Sequence, residues 1–361
     1  LAALIANVNK GSSLANKNFI INGAQNVAQR GTSSTGLGGS SGYFVTDRNK
    51  LVFSTAGRLT MEQIADGPSG FLNATKLSCT TADTSIAAGE TFLFSQYFEG
   101  QNLQSLKKGT SDAVPITVSF YVKGNASATY GMEIYDLDNT RSISTTFDVT
   151  TGWTRVEKTF AGDTTGALDD DNNASLAIFL WLHAGSDSNS GTLNTSWNSV
   201  TAANRTDSNN TSFFDSTSRT FFITGWQMEI GEKATEFEHI NDFGKELAQC
   251  QRYFQQYNSK DDNYDSLCTG YVDATTNFRG VMALTHSMRD IPTGSLGAGS
   301  QVEFNNGSGT SAASSGQALS SLTRTHAKIS FNGASALTIG HGGVIRFVDA
   351  DGKFIQIDAE L

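Results

Sequence analysis

Basic residues are scarce in this chain: 25 Lys and Arg stand against 35 Asp and Glu, for a formal net charge of −10. No stripe of cations is present that would neutralise a phosphate backbone, which argues against nucleic acid as a partner. No apolar run approaches the length of a membrane span, so no membrane insertion is expected. Only three cysteines occur, Cys79, Cys250 and Cys268, without metal-ligand spacing and too few for all to pair. They read as small buried or neutral thiols, with a Cys250–Cys268 disulfide as the alternative. The five histidines, His183, His239, His286, His326 and His341, are scattered, with no HExxH or similar pairing. Neither a GxSxG elbow nor a Walker loop is found. The glycine-rich GLGGSSG (36–42) leads into no strong helix, so it reads as a flexible loop rather than a phosphate cradle. Charged residues make up only 17%, too few for a disordered polyelectrolyte. The opening LAALIANV is too short and too uncharged for a signal peptide and reads as the end of a helix from an upstream segment.

What is plentiful is Ser, Thr, Asn, Asp and Gly, with 36 glycines against 3 prolines. Short strands joined by many turns use these residues, because they tolerate the backbone angles that turns demand. With 361 residues, 38% of them hydrophobic, the chain has material for two domains, or one large sandwich plus a smaller unit. Period-two alternation recurs. ITVSFYVKG (116–124) places Val118, Phe120 and Val122 on one face. ASLAIFLWLHA (174–184) places Leu176, Ile178, Leu180 and Leu182 on one face and Phe179 and Trp181 on the other, as in a central strand. TFFITGWQMEI (220–230) is expected to group Phe222, Trp226, Met228 and Ile230. KNFII, LVFST, FLFSQYF, GMEIYD and WTRVEKTF are shorter strand candidates. One stretch departs from this: residues 244–258 carry Leu247, Cys250, Phe254 and Tyr257 at helical spacing, with Asn241 or Asp242 to cap them. Residues 294–320 are Gly/Ser-rich and predict loops or a flat hairpin, and the terminal 342–361 predicts a hairpin around DADG. The polar stretch 184–212 is long for a loop in a compact domain and is expected to be functional or mobile.

Several fragments in sequence order carry a resemblance. They are NFIINGAQNVAQRGTS (18–33), YFVTDR (43–48), VSFYVKG (118–124), TTGWTRVEKTF (150–160), FFITGWQMEIGEKATEFEHI (221–240), ELAQCQRYFQ (246–255), MRDIPT (288–293) and IDAEL (357–361). Together they resemble the tail-fibre and receptor-binding virion proteins of marine and cyanobacterial phages. Family members usually carry Trp after YFVTDR, where this chain has Asn49. Residues 18–240 are similar to jelly-roll sandwiches of the carbohydrate-binding-module kind. The resemblance implies a non-enzymatic subunit on the exterior of a phage particle, whose partners are a host cell-surface glycan and other virion proteins. A homotrimer is expected, since repeating weak sites yields avidity. A capsid decoration protein and a polysaccharide-degrading tail spike enzyme are the alternatives.

The expected architecture is all-β: an N-terminal oligomerisation or attachment segment (1–17), a jelly-roll β-sandwich (18–240), a short linking helix (241–258) and a smaller C-terminal β domain (259–361), expected as a receptor-binding tip. Glycan recognition needs flat aromatic faces ringed by polar groups. Trp197, lying in the polar stretch beside Asn194, Asn198, Asn204 and Arg205, meets that description, and Tyr257, Tyr264 and Tyr271 come second. Trp153, Trp181 and Trp226 fall inside strand patterns and are expected in the core. Clustered Asp169, Asp170 and Asp171 are candidates for a structural calcium ion, while Asp349 and Asp351 of DADG fit a hairpin turn better. Glu133, Asp136, Glu229 and Glu232 lie on or beside strands and offer carboxylate pairs of the kind glycosidases use. No catalytic residue is assigned and no cofactor is expected.

Overall fold

Alternating apolar and polar residues build antiparallel strands throughout the computed structural model, which describes residues 18–55, 57–259, 265–297, 302–307, 310–312, 315–332, 337–347 and 354–361. The chain divides into two units, one running to Glu246 and taking in Leu361, the other Leu247–Glu360.

The first unit is a jelly-roll sandwich. Its strands are β1 (Ser33–Leu37), β2 (Gly42–Tyr43), β3 (Lys50–Ser54), β4 (Arg58–Ile64), β5 (Ala74–Thr81), β6 (Thr91–Glu99), β7 (Ile116–Gly124), β8 (Ala128–Asp136), β9 (Arg141–Val149), β10 (Thr154–Phe160), β11 (Ala174–Ala184), β12 (Asn198–Ser199) and β13 (Thr220–Ile230). One sheet runs β1-β4-β5-β13-β7-β10 and the other β12-β9-β8-β11-β6-β3-β2. The inner faces meet in one core that includes Phe94, Phe120, Phe147 and Trp226. Strand β11 is central, between β6 and β8, as its two apolar faces predict. Its inner residues Leu176, Ile178, Leu180 and Leu182 join the main core. Its outer residues Ala177, Phe179 and Trp181 form a second, smaller cluster with Leu93 and Ala184.

Two local readings are corrected in this unit. Residues 18–21 of KNFII form no strand; the segment that follows is irregular and held by side chains. Asn22 Nδ2 donates to the carbonyls of Val27 (2.8 Å) and Asp47 (3.0 Å), and Asn22 Oδ1 accepts from Val27 N (2.9 Å). Asn49 stands buried in the same polar knot and donates through Nδ2 to both Gln25 Oε1 (2.5 Å) and Thr46 Oγ1 (2.8 Å), two bonds that the single N–H of a Trp could not both make. In β13 the expected grouping of Phe222, Trp226, Met228 and Ile230 fails. The register with β7 shifts between Thr224 and Gln227, where Gly225 takes φ +61°. One extra residue reverses the phase, so the core receives Phe221 and Ile223 before the bulge and Trp226 and Met228 after it. Ile230 is left 40% exposed.

The predicted helix is present but shorter, Phe243–Gln251 (α2, following the single-turn α1 at Ser186–Asn189). Asp242 caps it, its Oδ1 accepting from Gly244 N (2.9 Å) and Lys245 N (3.3 Å). Phe254 and Tyr257, expected on that helix, instead lie on a strand.

The second unit contains β14 (Phe254–Asn258), β15 (Ser266–Ala274), β16 (Asn277–Ala283), β17 (Thr293–Leu296), β18 (Val302–Asn305), β19 (Thr310–Ala312), β20 (Ser315–Ser320), β21 (His326–Asn332), β22 (Gly342–Phe347) and β23 (Phe354–Asp358). They form a sheet β14-β23-β17 and a sheet β19-β18-β22-β15-β16-β21-β20 around a core that includes Phe278, Phe304, Phe331, Ile345 and Ile357. The Gly/Ser-rich 294–320 thus supplies strands. The terminal hairpin is also corrected: β22 and β23 belong to different sheets, each between two other partners. Asp349 and Asp351 lie outside the described residues. Neither the Cys250–Cys268 disulfide nor any other is formed among the described residues, and Cys79 and Cys250 are buried.

Candidate functional site

The polar stretch after β11 is laid down in order against the first unit. Phe213 N donates to Leu182 O (2.7 Å), Thr211 N to Thr129 O (2.8 Å), Thr206 N to Ser188 O (3.1 Å) and Ser144 N to Asn194 O (2.6 Å). Gly131 on β8 makes the approach feasible, since a Cβ there would lie 2.0 Å from Thr206 Oγ1. The stretch is therefore a folded flap over the outer face of β8, β9 and β11.

This flap brings Trp197 to the edge of the sandwich. The short strand β12 that follows it pairs with Arg141 and Ser142 of β9. Trp197 thereby lines a cleft of about 630 Å³ with Arg141, Thr145, Thr159, Asp163, Thr164, Thr165, Thr195 and Ser196. The indole is half-buried and held: its Nε1–H donates to Ala161 O (2.6 Å), and Lys108 Nζ lies 5.2 Å from a ring centroid. Behind it sits a buried ionic network. Lys108 pairs with Asp136 and, at 3.0 Å, with Asp163. Arg141 engages Asp163 through two bonds of 2.8 and 3.0 Å and donates to Trp197 O (3.3 Å). Burial pushes the Asp163 carboxyl up, but hydrogen bonds from Arg141 and Lys108 outweigh it and hold the group below the usual carboxylate range. Two carboxylates and two cations leave the network neutral and the ring rigidly presented.

The other sequence-predicted residues are dispersed. Asn194 is buried in the flap, and its Nδ2 finds no hydrogen-bond partner among the described residues. Asn198 is exposed beside Trp197, its Nδ2 donating to Ser196 O (3.0 Å) and Oγ (3.1 Å). Arg205 lies away from the cleft on the outer sheet face. It binds Glu133 through contacts of 2.9–3.2 Å and stacks 4.8 Å from Trp181 and 4.9 Å from Tyr135. Tyr271, on β15 of the second unit, is 53% exposed, and Tyr264 lies outside the described residues. Tyr257 is half-buried, its hydroxyl donating to Gln255 Oε1 (2.7 Å). In the aspartate turn, Asp169 and Asp170 are exposed and Asp171 accepts from Asn173 N (2.8 Å) and Nδ2 (2.6 Å). The strand carboxylates are engaged internally: Glu133 by Arg205 and Trp181 Nε1 (3.0 Å), Asp136 by Lys108, and Glu229 by Gln227 Nε2 and Thr235 N at 2.8 Å each.

Sequence reasoning missed Arg141, Asp163 and the threonines of the cleft, because nothing local announces that the loop after β10 lies beside the flap. It also missed an aromatic row on the outer sheet face, where Tyr97 and Tyr135 each lie 5.7 Å from Phe179. The two apolar faces of β11 were the available signal.

No family model and no curated protein sequence matches the chain. Solved structures with similar folds include one described as "CBM4 structure and function", at 11% identity over 58% of this chain and 98% of that one, with a TM-score of 0.29. A second is TmCBM61 in complex with β-1,4-galactotriose, at 9% identity over 59% of this chain and 99% of that one, TM-score 0.30. A third is the enzymatically active domain of bacteriophage CBA120 tailspike protein 4, at 12% identity over 60% of this chain but 22% of that one, TM-score 0.30.

Proposed function

We propose that this chain is a non-enzymatic subunit on the exterior of a bacteriophage particle, a fibre or spike component that adheres to host-surface glycans through the Trp197 cleft. The observation that carries the reading is a half-buried indole fixed at the rim of a cleft lined by several threonines and an Arg141–Asp163 pair. An apolar ring face suits the C–H face of a pyranose, and the surrounding donors and acceptors suit its hydroxyls. Because the ring is immobilised before binding, little side-chain entropy is lost on capture. The formal net charge of −10 favours neutral over polyanionic sugars. One such cleft binds weakly, and a homotrimer together with other virion proteins would supply avidity.

The test uses the purified chain as a competitor. Preincubated with host cells, it is expected to reduce adsorption of the particle, to sediment as a trimer, and to lose its effect when cell-surface glycans are oxidised with periodate. Competition that survives periodate would overturn the glycan reading. Release of reducing ends from host polysaccharide would point to a hydrolase instead.

A further inference from the structure

We propose that His183, Glu90 and Asp83 form a binding site for a divalent transition-metal ion of the zinc class, at a place in the first unit separate from the Trp197 cleft. The three come from three segments. His183 is the penultimate residue of β11, Glu90 directly precedes β6, and Asp83 lies in the loop after β5. The β6–β11 register pairs Thr91 with Ala184 and Phe92 with His183, which sets Glu90 beside the imidazole. The main chain fixes the other two: Gly185 N donates to Glu90 O (2.7 Å) and Asp83 N to Phe214 O (2.8 Å).

One ligand atom from each residue falls within 4.8 Å of the others. Tetrahedral ligation at about 2.0–2.2 Å would bring these atoms to roughly 3.3–3.6 Å of one another, a closure that side-chain rotation of Glu90 and Asp83 can supply. His183 is fully buried, and its Nε2 has no hydrogen-bond partner among the described residues. It points at Glu90 Oε2 from 3.7 Å, beyond hydrogen-bond reach. The opposite ring nitrogen is engaged: Nδ1 lies 2.8 Å from Ser212 Oγ, which accepts from Phe214 N (3.0 Å). With the Nδ1 proton given to Ser212, the Nε2 lone pair is directed at two carboxylates. Glu90 Oε2 accepts from Ala87 N (2.8 Å) and Asp83 Oδ2 from Thr55 Oγ1 (3.1 Å), which holds the carboxylates in place, and a cation would supply the partner that Nε2 lacks. This is the arrangement by which a neighbouring hydrogen bond sets the tautomer of a metal-binding histidine. An imidazole nitrogen with two carboxylates suits zinc, cobalt or manganese better than calcium, which takes six to eight oxygens. The divalent charge would balance the two carboxylates, and partly exposed Glu90 leaves a route of entry. Bound there, the ion would tie the loop after β5 to the ends of β6 and β11.

The test is a titration of the full chain, stripped with chelator, with Co²⁺ followed by its visible ligand-field absorption and then displaced by Zn²⁺. One equivalent per chain is expected. Ser212→Ala should weaken binding about 10–100-fold and Glu90→Gln by at least as much, with far-UV circular dichroism unchanged. No stoichiometric uptake, or wild-type affinity in both variants, would overturn the assignment. Should the variants not fold, the wild-type melt decides: saturating Zn²⁺ is expected to raise Tm, and an unchanged Tm would overturn the site.

Discussion

At Trp226 the indole lies wholly inside the sandwich, with its ring centroid 5.5 Å from that of Phe94. At Trp197 the indole is half-buried, held by one hydrogen bond to Ala161 O and by contact with the core's margin. Truncating each should therefore cost different amounts. Trp226→Ala empties a cavity and is expected to lose about 3–5 kcal/mol, whereas Trp197→Ala removes one hydrogen bond and partial packing, about 1–2 kcal/mol. Urea unfolding of both variants checks the difference. The core positions of Trp181 and Trp226 were legible because each sits within a long alternating run. Trp153 was not legible. It stands one residue ahead of β10 and is half-buried, 6.3 Å from Phe222 and 5.1 Å from Lys123 Nζ. A strand pattern does not say on which side its first residue falls.

Within elements, phase is the quantity that sequence conveys least well. Strand β13 shows why: one glycine at positive φ moves the apolar set from one parity to the other. A Cβ at Gly225 would approach Phe71 within 2.7 Å and Tyr121 within 3.0 Å. Gly225→Ala is expected to destabilise by about 1–3 kcal/mol, read as a lower urea midpoint with unchanged slope. The helix α2 offers a pH test. Burial pushes the Glu246 carboxyl up, and the hydrogen bond from Asn26 Nδ2 (3.1 Å) only partly offsets this. The folded state then binds the proton more tightly than the unfolded state, whose value is 4.5. The carboxylate costs stability at neutral pH, and the cost fades as pH falls through the folded value towards about 4.5. Glu246→Gln is expected to raise Tm at pH 7–8 and to lose that advantage near pH 4.5. An equal gain at both values would contradict this account. The helix itself was legible through its apolar spacing and Asp242 cap, but not its end. Phe254–Asn258 keeps helical spacing yet pairs with β23, a partner nearly a hundred residues away.

For the whole molecule, long-range pairing decides what local patterns leave open. The all-β class was visible in the alternation, while the terminal strands β22 and β23, adjacent in sequence, part into two sheets. The cleft was legible only at Trp197, because Arg141 and Asp163 reach it through strand order and loop placement. The contact boundary after Glu246 makes a further prediction. A chain ending there retains both sandwich sheets and should unfold as one cooperative transition by calorimetry. A chain ending at Asn258 would leave β14 without β23 and present an unpaired edge prone to association. Because the Trp197 cleft lies wholly in the first unit, the chain ending at Glu246 is expected to keep its glycan binding, and loss of binding in that chain would point to the second unit as the receptor-binding part. The central claim, that the Trp197 cleft binds host glycan, is tested most directly by one affinity ratio. Binding of the full chain and of Trp197→Ala to purified host-surface polysaccharide is measured by calorimetry, at a temperature where both are folded. The account predicts at least about a fivefold loss in the variant, since stacking of a flat ligand on an aromatic ring supplies about 1–3 kcal/mol; equal affinities would contradict it.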